Sequence, residues 1–479
     1  MDETRNPKIE MEHDLKNLIS GEWVDSDSKI EVRNPYTNKV IGTVPCMGLE
    51  DVMRAIDGLY EYEPTLTAHQ RAEILKATAA EITQRKEELA YGISLESGMS
   101  LKDSTKEVGR GVGLLTVAAE EAKRIYGEQL PSDVDSSGAD KIILAMRFPV
   151  GLISAIVPFN RPMNQVVVKV APAIASGNKV IVKPTERTPM SAIRFVQILL
   201  NNGLPPEMIS VVTGHSSEIG NELVSSQKID MVTFTGSTEV GRKLTNMAGI
   251  KKLTMELGGN DPLIVLEDGD LDKAVKLVTA GAYGNCGQAC RGVKRILVID
   301  TVADAFVEKL TTATKKIKCG DPFDPETDVG TVIDEEAAKE IETAVDNAVK
   351  DGAKVLCGHK RKGASYPPTV VDHVNLKSDL VINETFGPIA PILRIKDVKE
   401  ACEIANSTEF GLQSGVVTNN LENIRYCIKN LKVGAVNINE GPQHDMPNIP
   451  FGGVKQSGIG REGIRYAMQE MTYVKCVVM

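Results

Sequence analysis

The chain has 479 residues, 42% of them hydrophobic and 25% charged, with a formal net charge of −10. That length exceeds one compact domain and implies two or three. No apolar run approaches the roughly 20 residues of a membrane span, and the charges are interspersed rather than gathered into a basic face; neither a membrane nor a nucleic acid is expected as partner.

The amino-terminal run MDETRNPKIEMEHD is polar and acidic, unlike a secretory signal. Eight cysteines (46, 286, 290, 319, 357, 402, 427 and 476) are scattered along the chain, so a reduced, cytoplasmic protein is expected. Residues 20–45 carry β-branched residues broken by Asp-Ser, Asn-Pro and Thr-Asn, and read as short strands and turns. Thr67 to Leu95 reads as one amphipathic helix, with Ile74, Ala77, Ile82 and Leu89 at helical spacing. Lys102 to Tyr126 reads as a second helix, interrupted by Gly109, Gly111 and Gly113. From about 141 the pattern changes. IILAMRFPVGLISAIVP is strand-like; a helix is expected at 164–175, a strand at NKVIVKP, a helix at 190–202, and a strand at ISVVTG. A short helix at 216–225, the strand DMVTFTG and a helix near 238–247 complete this unit. Such alternation is the pattern of a parallel, doubly wound α/β sheet, in which ligands sit beyond the carboxyl ends of the strands. After a hinge near MELGGNDP (255–262), a second α/β unit follows. Its strands are PLIVL, RILVI, AKVLC, PILRI and SGVVT, and its helices fall at 271–283, 302–317, 335–351 and 398–406. The last segment, TYVKCVVM, is a strand with no partner nearby in sequence, of the kind that often pairs with another chain. The basic run HKRK at 359–362 reads as a solvated turn.

Two segments have glycine spacings that suggest nucleotide binding. GIGREG at 458–463 fits G-x-G-x-x-G but precedes no full βαβ unit and has no acidic partner downstream, so it is set aside. GSTEVG at 236–241 follows a strand and opens a helix, so the N–H groups of Gly236 and Ser237 are expected to point outward where a phosphate could sit. In GAYGNCGQACRGVKR (281–295), Cys286 and Cys290 stand four residues apart. A zinc pair needs two further ligands that the neighbourhood lacks, and a redox pair would more typically be C-x-x-C. What remains is one thiolate nucleophile, Cys290, after small residues that leave room for a carbonyl to approach. It needs a base and an oxyanion donor from elsewhere. Glu256 in MELGGN and Glu384 in NETFGP are candidate carboxylates, and Asn160 in VPFNRP is a candidate amide donor at the end of a strand.

Seven motifs, PFNRP (158–162), KPTE (183–186), FTGSTEVG (234–241), ELGG (256–259), GQAC (287–290), ETFGP (384–388) and PFGGVKQSG (450–458), together resemble the aldehyde dehydrogenase superfamily, in its order and over about residues 20 to 475. The resemblance implies that fold: a Rossmann-like cofactor domain (1–126 and 148–255), an α/β catalytic domain (256–446), a β oligomerisation arm (127–147 and 468–479) and a substrate-side loop (447–467). It implies that Cys290 attacks the aldehyde to give a thiohemiacetal. Asn160 and the Cys290 N–H would hold the oxyanion, an amide donor contributing on the order of 3 kcal/mol. Hydride then passes to a nicotinamide, and Glu256 activates the water that hydrolyses the thioester. Acylating relatives, which pass the thioester to coenzyme A, generally lack that glutamate. The cofactor positions implied are Pro158, Lys183, Glu186, Gly236, Ser237, Val240, Leu257, Glu384 and Phe386, for NAD with NADP as the alternative. Glu186 favours NAD because a carboxylate repels a 2′-phosphate, an argument that Arg187 beside it weakens. No metal is expected. Relatives that have become inactive structural proteins would be expected to lose Cys290, Glu256 or Asn160, and all three are present.

Three arginines, Arg110, Arg161 and Arg291, read as substrate-binding groups for an anionic tail. PFNRPMNQ, VKRILV, GDPFDPETDVGTVI and ETFGPI look most like phosphonoacetaldehyde dehydrogenases. That group commonly has His at position 161 and Arg at 289, where this chain has Arg161 and Ala289. NINEGPQHDMPNIPFGGVKQSGIGREG looks more like lactaldehyde dehydrogenases. The expected substrate is therefore a short anionic aldehyde of the phosphonoacetaldehyde, sulfoacetaldehyde or sulfolactaldehyde type, with lactaldehyde or succinate semialdehyde as alternatives. The arm implies a homodimer or homotetramer.

Overall fold

The computed structural model describes residues 11–138, 140–443 and 446–479. Most of the polar amino-terminal run, and His444 and Asp445 of the NINEGPQHDMPNIP stretch, lie outside them. The first unit is built on an eight-stranded sheet. Its centre is Leu152–Val157, flanked in parallel by Met231–Thr235 on one side and Lys179–Pro184 on the other. Lys252–Glu256 and Ile209–Val211 extend it in parallel. These strands are apolar runs because helices cover both faces: LISAIV, KVIVKP and MVTFT are almost wholly buried. Strand order reverses at Leu152–Val157, so a crevice opens beyond its carboxyl end, where Pro158, Phe159 and Asn160 follow.

The second unit is a seven-stranded sheet, in the order Lys354–Cys357, Thr369–Asp372, Ile389–Ile395, Arg295–Ile299, Pro262–Val265, Gln413–Val417, Ala435–Ile438. All neighbours are parallel except the edge strand Lys354–Cys357. A third sheet of three strands joins Thr472–Val478, Ile143–Pro149 and Glu128–Leu130.

Several expectations need correction. Thr67 to Leu95 is two helices, Ala68–Gln84 and Lys86–Ser97, broken at Arg85 (φ −95°, ψ 18°). The Arg85 guanidinium pairs with Glu81 at 2.9 Å before the break and with Glu88 at 2.7 Å after it. The glycines at 109, 111 and 113 do not interrupt Leu101–Glu121. A Cβ on Gly111 would meet Met163 at 2.8 Å and Asn164 at 3.2 Å, so the bare backbone lets this helix lie close to Asn164–Ala175. The expected helix at 216–225 is two short pieces, Ser216–Ile219 and Glu222–Ser225. IILAMRFPVGLISAIVP divides at Gly151 (φ 127°) into strands of two different sheets. TYVKCVVM finds its partner in its own chain, where Thr472–Val478 runs antiparallel to Ile143–Pro149. The HKRK run is not solvated throughout: Arg361 pairs with Glu335 and Glu342, and His359 with Asp346.

The amino end of the second sheet is held by Arg295, which is 1% exposed. Its guanidinium donates to the carbonyls of Asn260 at 2.8 Å, Ile404 at 2.9 Å and Ala405 at 3.0 Å. It therefore caps the helix Val398–Asn406 and ties it to the Gly258–Asp261 segment. Arg295→Met leaves three carbonyls without that donor. It is expected to lower the unfolding free energy by on the order of 3 kcal/mol, read as a fall in the urea midpoint; an unchanged midpoint would show that water replaces the guanidinium.

Candidate active site

Asn160 sits just past the carboxyl end of the central strand, 6% exposed. Cys290 lies in the loop before Arg295–Ile299, after a short turn in which Asn285 (φ 51°) and Cys286 (φ 56°) adopt left-handed backbone. Such conformations in non-glycine residues persist only where surroundings enforce them, and here the enforcement is visible. The Asn285 N–H donates to Asp103 at 2.9 Å, and its side-chain amide donates to the carbonyls of Asn160 at 2.7 Å and Gln288 at 3.1 Å. Asn160 Nδ2 donates to the same Gln288 carbonyl at 3.1 Å, and Gln288 Oε1 accepts from the Ile333 N–H at 2.8 Å. The thiol loop is thus strapped to the first sheet through Asn160. On its other side, a Cβ on Gly259 would collide with the Cys290 carbonyl.

Cys290, Arg110, Arg161, Gln165, Arg291 and Phe451 line one narrow cavity of 70 Å³. An adjoining lobe of 90 Å³ adds Asn160. The three arginines are therefore brought together with the thiol. Burial and the neighbouring Arg161 charge pull Arg110 down to about 10, against the pull of Glu107. Arg291 donates to the Gln443 carbonyl and lies 5.6 Å from the centre of the Phe451 ring. A larger cavity of 450 Å³, lined by Arg33, Tyr36, Arg187 and Asp334 among others, includes neither Cys290 nor Asn160.

The site is crowded with buried carboxyl groups. Burial pushes the Cys290 thiol well above its ordinary value, reinforced by Glu256, Glu384, Asp261 and Glu462. Glu256, 1% exposed, is itself pushed well up by burial and by Glu462, with Lys169 and Arg461 opposing. Neither of its oxygens has a hydrogen-bond partner among the described residues, and Oε1 faces the backbone of Gly452, where a Cβ would come within 2.8 Å. Lys169 is fully buried in the helix Asn164–Ala175, meeting Glu462 at 2.6 Å and Thr233 at 3.2 Å. Glu384 is raised to about 7 by burial, against the Lys294 charge and the Gly259 N–H, which donates to it at 3.3 Å.

The remaining expected positions surround the strand ends. Ser237 caps the helix Thr238–Ala248, its hydroxyl accepting from the Val240 N–H at 3.3 Å. Gly236 departs from expectation: its N–H donates to the Glu256 carbonyl at 3.1 Å and is not turned outward. A Cβ on Gly241 would strike Leu257, so the helix rides close on that side chain. Val240 remains 39% exposed beside the helix start. Lys183 donates to Ser216 at 2.7 Å and to Glu186 at 3.2 Å. Burial works to raise Glu186, but Lys183 and the Ser216 hydrogen bonds outweigh it and leave the carboxyl below its usual range. Arg187 is drawn away to Asp334. Pro158 and Phe159 lead into Asn160, and Phe386 sets its ring 5.9 Å from Phe159, edge on. Cys286 is buried with Sγ 3.8 Å from the Tyr366 carbonyl. Packing in the second core is its role.

Sequence reasoning missed Lys169, Glu462, Asp261, Lys294, Asn285 and Gln288. Lys169 had a signal, a lone lysine in the apolar run VVVKVAPAIA. Glu462 lay inside the glycine motif that was set aside.

The family model described as the aldehyde dehydrogenase family matches residues 23–477. The chain is 37% identical over 469 residues to the lactaldehyde dehydrogenase of Methanococcus aeolicus, covering 96% of this chain and 99% of that one. It is 37% identical over 462 residues to the 3-sulfolactaldehyde dehydrogenase of Priestia aryabhattai, covering 96% and 97%. A crystal structure of glyceraldehyde-3-phosphate dehydrogenase GapN from Methanocaldococcus jannaschii, complexed with NADP, superposes with a TM-score of 0.91 at 38% identity, covering 95% and 100%. This chain belongs to the aldehyde dehydrogenase family, whose members are oxidoreductases acting on aldehydes. The finer resemblance to phosphonoacetaldehyde dehydrogenases is not what these three relatives show.

Glu384 gives a pH test of the site's electrostatics. Its carboxyl ionises near the ordinary 4.5 when unfolded and at about 7 when folded. The folded state therefore holds the proton longer, and stability is lost as pH rises between those values, then stays level. Glu384→Gln removes that loss. The variant is expected to melt above the parent protein at pH 8, with the gap shrinking as pH falls toward 5. A gap that does not change with pH contradicts the burial argument.

Proposed function

We propose that the chain oxidises a short anionic aldehyde, of the sulfolactaldehyde, sulfoacetaldehyde or phosphonoacetaldehyde type, to its carboxylate, with NAD as the electron acceptor. The observation that carries this reading is the single cavity in which Arg110, Arg161 and Arg291 surround Cys290. A planar guanidinium matches a sulfonate, phosphonate or carboxylate through its fork of donors, and the small volume suits a chain of few atoms.

The Cys290 sulfur bonds the aldehyde carbon once its proton is drawn off, and the raised carboxylate of Glu256 is a base strong enough to help. Asn160 has two amide hydrogens; one is used on Gln288, and the other, with the Cys290 N–H, holds the developing oxyanion. After oxidation the acyl group stays on Cys290, and Glu256 draws a proton from the water that releases it. The lack of hydrogen bonds to Glu256 among the described residues favours this, because its lone pairs are left open to a water.

The strand ends suit a dinucleotide. The helix start at Ser237 can take a phosphate, Val240 offers an apolar face to a base, and Lys183 with Glu186 stands where ribose hydroxyls need partners. Leu257, Pro158, Glu384 and Phe386 would hold the nicotinamide end. When bound, the dinucleotide supplies a two-electron acceptor. Glu186, kept ionised, disfavours a 2′-phosphate, and the pairing of Arg187 with Asp334 removes the cation that would offset it. NADP is the alternative, given the GapN relative in complex with it. The exposed three-stranded sheet supports a homodimer or homotetramer, and scattered free cysteines support a cytoplasmic setting; among the described residues no helix is long and apolar enough to cross a membrane. Lactaldehyde is the second reading, favoured by the relative of that name, with succinate semialdehyde the further alternative.

Reduced-cofactor absorbance with sulfolactaldehyde, phosphonoacetaldehyde, succinate semialdehyde, lactaldehyde and propanal tests the arginines. The anionic aldehydes are expected to exceed the neutral ones in kcat/KM by about a hundredfold, on the order of 3 kcal/mol; parity makes the arginines structural. Glu256→Gln is expected to yield one equivalent of reduced cofactor per site and then stall. Sustained turnover by that variant would assign the base elsewhere.

A further inference from the structure

We propose that this site reads a hydroxyl group on the carbon next to the aldehyde, and that Gln165 is the side chain that reads it. The inference rests on the proposed binding of a short anionic aldehyde and narrows it to 2-hydroxyaldehydes.

Gln165 is the second residue of the helix Asn164–Ala175, which starts four residues after Asn160. It lines both lobes of the cavity together with Cys290, Arg110 and Arg161. Its Oε1 is buried and takes no hydrogen bond among the described residues. A buried amide oxygen without a donor loses its water and gains nothing in return, so such an atom in a substrate cavity awaits a donor on the ligand.

The chemistry of the ligand limits which group that can be. The aldehyde oxygen is an acceptor and turns to Asn160. An ionised sulfonate or carboxylate is acceptor only, and it is repelled by an amide oxygen while drawn to the arginines. The carbon between the two ends can carry the missing donor as a hydroxyl. With the aldehyde carbon fixed at Cys290 and the tail among the arginines, an acceptor on one wall meets a hydroxyl of one configuration and not of the other. A substrate lacking the hydroxyl leaves Oε1 unpaired, and sites built around a substrate hydroxyl discriminate strongly against such analogues.

The test is a square of four aldehydes assayed with the purified full chain and its cofactor. Lactaldehyde and propanal differ by the hydroxyl, 3-sulfolactaldehyde and 3-sulfopropanal differ by the same hydroxyl, and the two pairs differ by the sulfonate. The hydroxyl is expected to raise kcat/KM about tenfold in each pair, with one enantiomer of lactaldehyde preferred by a similar factor. In Gln165→Met, which keeps length and removes the acceptor, both ratios are expected to fall to near one. Equal rates within each pair, or equal use of the enantiomers by the native protein, overturn the proposal without any variant. An equal loss across both members of a pair in Gln165→Met also overturns it, because it would mean that the amide presents its N–H to the anion. If instead the sulfonate has no effect while the hydroxyl ratio stands, the anionic reading fails and the role of Gln165 survives. Calorimetric titration of the cofactor-free protein with 3-sulfolactate and 3-sulfopropionate reads the same preference without turnover, and equal dissociation constants count against it.

Discussion

Lys169 is buried to its ammonium group inside a helix of valines and alanines, and Glu462 meets it there at 2.6 Å. Replacing such a pair with apolar side chains often costs nothing in stability, so its value here is positional. Glu462 arrives on the chain that returns from the second unit, where its backbone pairs with Phe451 in both directions. Phe451 in turn lies under Arg291. One ion pair therefore sets where the returning loop crosses, and with it one wall of the cavity beside Cys290. The same pair stands beside Glu256, so the group that fixes the wall also sets the charge around the base.

Around Cys290 the protein buries carboxyl groups and cations together, with little water to screen them. The consequence is opposite for the two reacting groups. A thiol is made harder to ionise, whereas a carboxyl made harder to ionise becomes a stronger base. In the proposed reaction a substrate carbonyl between them would take the sulfur electrons, and Glu256 the proton. The three arginines line the same cavity as Glu462, whose charge is met by Lys169.

Much of this arrangement is legible in the chain because it depends on local pattern. Helices 164–175 and 238–247 and the strands around them follow from periodicity and from glycine or proline stops, and the structure matches them to within a residue or so. Arg291 follows Cys290 and Arg161 follows Asn160 in the chain, whereas nothing local brings Arg110 to them, and its place is readable only by resemblance. What escaped was of two kinds. The break at Arg85 leaves no mark on the apolar pattern, whose helical period runs straight through it. The straps at Asn285 and Gln288 are polar residues in a glycine-rich stretch, where sequence alone cannot tell a turn from a brace. Gly236, expected to turn its N–H outward, instead spends it on the neighbouring strand, a pairing that no local pattern announces.

The neutral state of the Cys290 thiol has a consequence for endurance. Peroxide and other oxidants attack the thiolate, and susceptibility follows its population and exposure. A nucleophile held protonated by surrounding carboxyl groups is a poor target while the site stands idle. Among eight cysteines, the one on which activity would depend is thus sheltered by its charge environment although it is only part-buried.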